Sequence, residues 1–183
     1  VLEHLLAAIT ILTLTVFRLL EGKGMFERGT GRLDRPHRDR ARRIGTRVAQ
    51  LLAPWRARII AYDPYVPPAH FLTHGVMAVD YETLLRESDV VSFHVVLTRE
   101  TRYMFGEEHL KLMKPNAIVL NTARGKVLDE KALARAIDEG RVRGAAIDAF
   151  EEEPLPMDSP LRTLGDRVLL SPHSASYTEG GEL

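Results

Sequence analysis

Cysteine is absent from all 183 residues, which excludes disulfides, cysteine-ligated zinc, iron–sulfur clusters and thiol nucleophiles together. Neither sign of charge is in excess. The 25 lysines and arginines cancel 25 aspartates and glutamates, so no global field draws the chain to nucleic acid, an anionic membrane or an acidic substrate. A long apolar run is missing too. Leu5 to Phe17 carries no charge, but a bilayer-spanning helix needs about 18 apolar residues, and an export signal would begin with basic residues where Glu3 and His4 stand. No membrane association is expected. Residues 1–20 read instead as a flanking helix, apolar all round and so covered on more than one side, as in a homodimer contact. What remains, 45% hydrophobic and 27% charged, is the composition of one globular domain with a cytoplasmic address.

Between Lys23 and Arg42 the pattern breaks. Gly24, Gly29, Gly31 and Pro36 interrupt it, and seven arginines fall between Arg28 and Arg43. Clustered arginine could neutralise phosphates, but no aromatics are interleaved for base stacking. The segment is expected to be a solvated, irregular loop with no nucleic-acid partner.

From Ile44 onward the chain alternates. Ile44, Val48, Leu51 and Leu52 form one helical face closed by Pro54. Strand-like runs follow at 57–63, 75–79, 89–94, 117–121, 144–150 and 167–171, with helical stretches YETLLRE, EEHLKLM and DEKALARAIDEG between most of them. Alternating elements with strands apolar along most of their length predict an α/β fold, a doubly wound parallel sheet covered on both faces. The strand ending at Asp63 should then lie beside one just before Ile44, whereas a flavodoxin-like sheet is the competing arrangement.

Ligands of such sheets bind beyond the carboxyl ends of the strands. Asp63, His94, Asn121 to Arg124, Asp148 and His173 all fall there. They predict one cleft lined by an acid, two histidines and an arginine. Asp63 follows Gly45 by 18 residues, the spacing at which a βαβ unit sets a carboxylate on the adenosine ribose, and a carboxylate there repels a 2′-phosphate, favouring NAD over NADP. The planar Arg124 fork can grip a carboxylate in two bonds. His173 can carry a proton near neutral pH, with Glu153 as the neighbour that stabilises its charged form. These groups beside a nicotinamide suit hydride transfer at a 2-keto or 2-hydroxy acid. Arginine and imidazolium polarise the carbonyl, and the scattered histidines make no metal set, so no metal is expected.

Residues 88–105 (SDVVSFHVVLTRETRYMF), 113–130 (MKPNAIVLNTARGKVLDE), 144–155 (GAAIDAFEEEPL) and 171–178 (SPHSASYT) resemble the cofactor domain of the D-isomer-specific 2-hydroxyacid dehydrogenases. The start, VLEHLLAAI, is similar to the family's long helix that packs on its mate in the dimer. The resemblance implies NAD as cofactor. It implies that Arg124 binds the substrate carboxylate and carbonyl, and that Glu153 pairs with the acid/base His173. Asp63 would hold the ribose, Arg43, Ile44 and Gly45 would meet the pyrophosphate, and Val95, Thr122 and Asp148 would border the nicotinamide end. Glu151 and Glu152 are expected to be a solvated acidic run.

Two departures qualify the likeness. The family's glycine loop resembles GLGRIG, where this chain has RARRIG, with Arg40 and Arg42 at the first two glycine positions. Arginine there gives neither the tight turn nor the close backbone approach. The codons of PHRDRAR (36–42) can be read one frame along as LIGIGLG, leading into RIG, so a frameshift is one origin. The family's substrate lobe, roughly a hundred residues and thus a small domain, is also expected to be missing, which leaves His173 facing an open cleft. An inactive NAD-binding or dimerising remnant and a corepressor-like NAD sensor are the competing functions.

Overall fold

The computed structural model describes residues 35–174, with side chains from Arg42 onward. The expected flanking helix at 1–20 lies outside them. The first element, α1 (Arg35–Leu52), begins inside the stretch expected to be irregular through Arg42. That expectation was wrong from Arg35 on. No proline or glycine falls between His37 and Ile44, arginine and alanine are strong helix formers, and Pro36 occupies the first turn, where no intrahelical N–H is required. The strand expected just before Ile44 is consequently not there.

The remaining elements are β1 (Ile60–Ala61), α2 (Pro68–Leu72), β2 (Met77–Ala78), α3 (Tyr81–Glu87), β3 (Val90–Phe93), α4 (Glu107–Leu110), β4 (Ile118–Asn121), α5 (Glu130–Asp138), β5 (Gly144–Ile147) and β6 (Val168–Leu170). All six predicted strands are present and shorter than predicted, because the outer residues of each run belong to the turns. The short helix α2 was not expected. Its helices begin and end as their sequences specify. The Asp80 and Asp129 side chains accept from Thr83 N (2.7 Å) and Ala132 N (2.9 Å), capping α3 and α5, and Gly140 leaves α5 at φ +72°.

Every strand pair is parallel, in the orders β1-β2 and β3-β4-β5-β6. A flavodoxin-like sheet would require β1 to pair with β3, and these two strands are not hydrogen-bonded neighbours. Two parallel sheets with helices between their strands make the expected α/β, Rossmann-like doubly wound arrangement. One core lies around β3 to β5 and includes Phe93, Phe105, Leu133 and Ile147. A smaller one, Ala49, Ile59, Ala61, Phe71 and Val76, sits between α1, α2 and the β1-β2 pair.

The face of α1 is rotated from the one expected. Ile44 and Leu51 are 46% and 55% exposed, while Gly45 and Ala49 are buried and Val48 and Leu52 half-buried. Ala49 on this face packs with Ile59, Ala61, Phe71 and Val76.

Candidate functional site

The register of the larger sheet aligns its rim. Phe93, Asn121, Ile147 and Leu170 are successive partners across β3 to β6. The residues one step beyond, His94, Thr122, Asp148 and Ser171, therefore emerge along one edge. Backbone bonds carry the alignment past the strand ends, from Asp148 N to Asn121 O (2.9 Å) and from Ser171 N to Ile147 O (3.1 Å).

Beyond β4 the chain is clamped by a buried asparagine. The Asn121 side chain donates to Arg124 O (3.1 Å) and Ala149 O (3.5 Å) and accepts from Ala123 N (3.1 Å). That ties the loop carrying Arg124 to the segment after β5. Gly125 brings the two together: a Cβ there would lie 1.8 Å from the Phe150 carbonyl carbon, an approach only glycine permits. Arg124 itself is exposed, and its Nη1 donates to Ala123 O at 2.6 Å.

His173 and Glu153, twenty residues apart, meet. Imidazole Nδ1 lies 2.9 and 3.0 Å from the two carboxylate oxygens, and Glu153 Oε1 also accepts from Phe150 N at 3.0 Å. The hydrogen bond with His173 holds the Glu153 carboxyl below its ordinary range, with the Phe150 N–H and the His173 and Arg124 charges acting the same way against partial desolvation. With Nδ1 facing the carboxylate, the other ring nitrogen is left to exchange a proton with a ligand. His173 adopts a left-handed φ of +53°.

Asp148 is buried and accepts from Ser171 Oγ (2.6 Å), Ser174 N (2.9 Å) and Ser174 Oγ (3.5 Å). Val95 is buried below the rim, whereas Thr122 is exposed on it. Asp63 Oδ1 accepts from Tyr65 N at 2.9 Å, forming a turn at the end of β1. Its residue also lines an open cavity of about 490 Å³ with Tyr62, Val79, Asp80 and Thr83, a volume that suits a nucleoside-sized group.

Three expectations are corrected by the geometry. His94 is not an exposed group lining the cleft: it is buried against Ser92 Oγ at 3.1 Å, and burial pushes its pKa down to about 4. Glu151 is not a solvated acid. Its carboxylate accepts from Tyr103 Oη (2.8 Å) and Glu130 N (3.0 Å), while its own N–H donates to Glu130 Oε1; Glu152 is exposed as expected. Arg43, Ile44 and Gly45 lie in the interior of α1, not at its start. Interior N–H groups are committed to carbonyls four residues back, so they are not available to an anion.

Ser171, Ser174, Tyr103 and Glu130 were not singled out from the sequence. Their partners lie 21 to 48 residues away, and no local pattern reports such a bond.

Residues 41–175 match the family described as D-isomer specific 2-hydroxyacid dehydrogenase, NAD binding domain. A glyoxylate reductase of Korarchaeum cryptofilum is 49% identical over 134 residues, 73% of this chain and 40% of the relative. A D-3-phosphoglycerate dehydrogenase of Methanocaldococcus jannaschii is 46% identical over 138 residues, 75% of this chain and 26% of the relative. The D-lactate dehydrogenase of Aquifex aeolicus complexed with NAD and lactic acid superposes with a TM-score of 0.71 at 34% identity, covering 93% of this chain and 48% of that one. The chain thus spans less than half the length of each.

Proposed function

The chain belongs to the D-isomer specific 2-hydroxyacid dehydrogenases, and from that premise we propose that it supplies the cofactor half of an enzyme transferring a hydride between NAD(H) and a small 2-keto or 2-hydroxy acid. The Glu153–His173 pair beside the Arg124 loop carries this reading. NAD, when bound, supplies or accepts the hydride. The chain's own groups do the rest. Arg124 grips the substrate carboxylate and draws charge from the carbonyl. His173 delivers a proton to the carbonyl oxygen in reduction and takes it back in oxidation. Glu153 orients the ring through Nδ1.

The residues fit the cofactor unevenly. Asp63 at the 490 Å³ cavity suits the adenosine ribose, and Thr122 and Asp148 at the rim, with Val95 buried just past β3, are assigned to the nicotinamide end. Among the described residues no helix start meets the pyrophosphate where it was expected, because Arg43, Ile44 and Gly45 lie mid-helix. The chain by itself therefore binds NAD weakly and does not turn over substrate.

Residues 1–20 are assigned to a homodimer contact, and the cysteine-free composition fits a cytoplasmic address. No helix among the described residues is long and apolar enough to cross a membrane. The test is NADH oxidation with glyoxylate, hydroxypyruvate or pyruvate by this chain, carrying Arg40→Gly with Arg42→Gly, fused to the substrate lobe of a relative. Turnover supports the dehydrogenase. NAD-dependent assembly with no turnover on any of the three favours the sensor.

A further inference from the structure

We infer that Asp148 is a positioning residue for His173, acting through Ser171 and Ser174. This rests on the assignment of His173 as the proton carrier. The left-handed backbone of His173, φ +53°, is uncommon for a residue with a side chain and needs support from its neighbours. One carboxylate oxygen brackets it. Asp148 Oδ1 accepts from the Ser171 hydroxyl at 2.6 Å, two residues before the histidine, and from the Ser174 N–H at 2.9 Å, one residue after it. His173 N closes the turn on Ser171 O at 2.9 Å. Asp148 is itself fixed, being buried, directly behind β5, with its N–H on Asn121 O. The carboxylate thus transmits the register of the sheet to the loop, and the loop places the imidazole within 2.9 Å of Glu153.

If Asp148 merely closed a rim turn, its loss would lower stability and leave the imidazole where it is. The Glu153 titration separates these roles, because the bond with His173 is the largest cause of its lowered value. The experiment uses the whole chain, carboxyl-labelled with ¹³C, and needs no activity. Asp148→Asn and Ser171→Ala are each expected to move the Glu153 midpoint upward toward 4.5 and to speed exchange of the Ser174 amide roughly tenfold. Ser171→Thr, which keeps the hydroxyl, restores both. An unmoved Glu153 midpoint in Ser171→Ala with native spectral dispersion overturns the inference, whether or not Asp148→Asn folds. His173→Ala provides the separate check: if it too leaves the Glu153 midpoint in place, the His173–Glu153 pairing fails first.

Discussion

Replacing Gly125 by alanine is expected to spread the two segments that form the rim. The added Cβ would lie 1.8 Å from the Phe150 carbonyl carbon, 1.9 Å from its oxygen and 2.3 Å from Glu151 N. All are backbone atoms, so no rotamer change relieves the clash. Ordinary contact starts at 3.4 Å, so the segments must part by about 3.4 − 1.8 = 1.6 Å. Overpacking costs about 1–3 kcal/mol, and each kcal/mol lowers the Tm of a domain this size by about 2–4 °C. A fall of roughly 2–12 °C follows from these two ranges. The same shift separates the loop of Arg124 from the Phe150 N–H that holds Glu153, and misplacement by about 1 Å costs on the order of 100-fold in rate. Calorimetry on the chain, with NADH oxidation in its fusion to a relative's substrate lobe, measures both. A Tm unchanged to within about 1 °C, less than the smallest shift those ranges allow, would refute the packing argument.

Arg124→Ala and His173→Ala in that fusion, repaired by Arg40→Gly with Arg42→Gly, should each remove most of the turnover while leaving NADH binding largely intact; near-normal rates at neutral pH in His173→Ala would sink the proton assignment. Burial holds His94 at about 4, below its ordinary 6.5. Between those values the unfolded chain binds a proton that the folded one does not. Stability should therefore fall by roughly 3 kcal/mol as pH drops through that window, and urea melts of His94→Gln should show a flatter decline. NADH fluorescence titration should detect weak or no binding to the chain as it stands and tighter binding after Arg40→Gly with Arg42→Gly. Micromolar affinity before the change contradicts the mid-helix argument.

The strands were legible because their signal is local. Runs such as VVSF and AIVLN are β-branched or apolar with no polar period, and they form β3 and β4. Strand ends then follow from the runs, which is why Asn121, Asp148 and Ser171 fall together at one edge of the larger sheet. The buried face of α1 was misread for the opposite reason. Counting large apolar side chains selects Ile44 and Leu51, but the buried face carries Gly45 and Ala49, and Ala49 joins the small core. His94 was misjudged because a strand-end position does not say which way a side chain turns, and burial decided it. Glu151 looked like one of three neighbouring acids; its bonds to Tyr103 and Glu130 depend on chain crossings with no sequence signature.

The two halves of the site rest on different physics. The substrate-facing half depends on the register of β3 to β6 and on bonds such as Asp148 to Ser171 that extend it, all between residues 90 and 174. The pyrophosphate half depends on one turn that must break the chain so that a helix can begin with free N–H groups. In this sequence the arginine-rich stretch continues the helix through that point. Damage to the turn does not propagate to the rim, because no bond named at the rim passes through α1. The Glu153–His173 pair can therefore be intact in a chain that holds its cofactor poorly, so a failure to bind NADH says nothing against the chemistry assigned to Arg124 and His173. Restoring glycines at 40 and 42 acts on the one half alone, and the NMR titration of Glu153 reads the other.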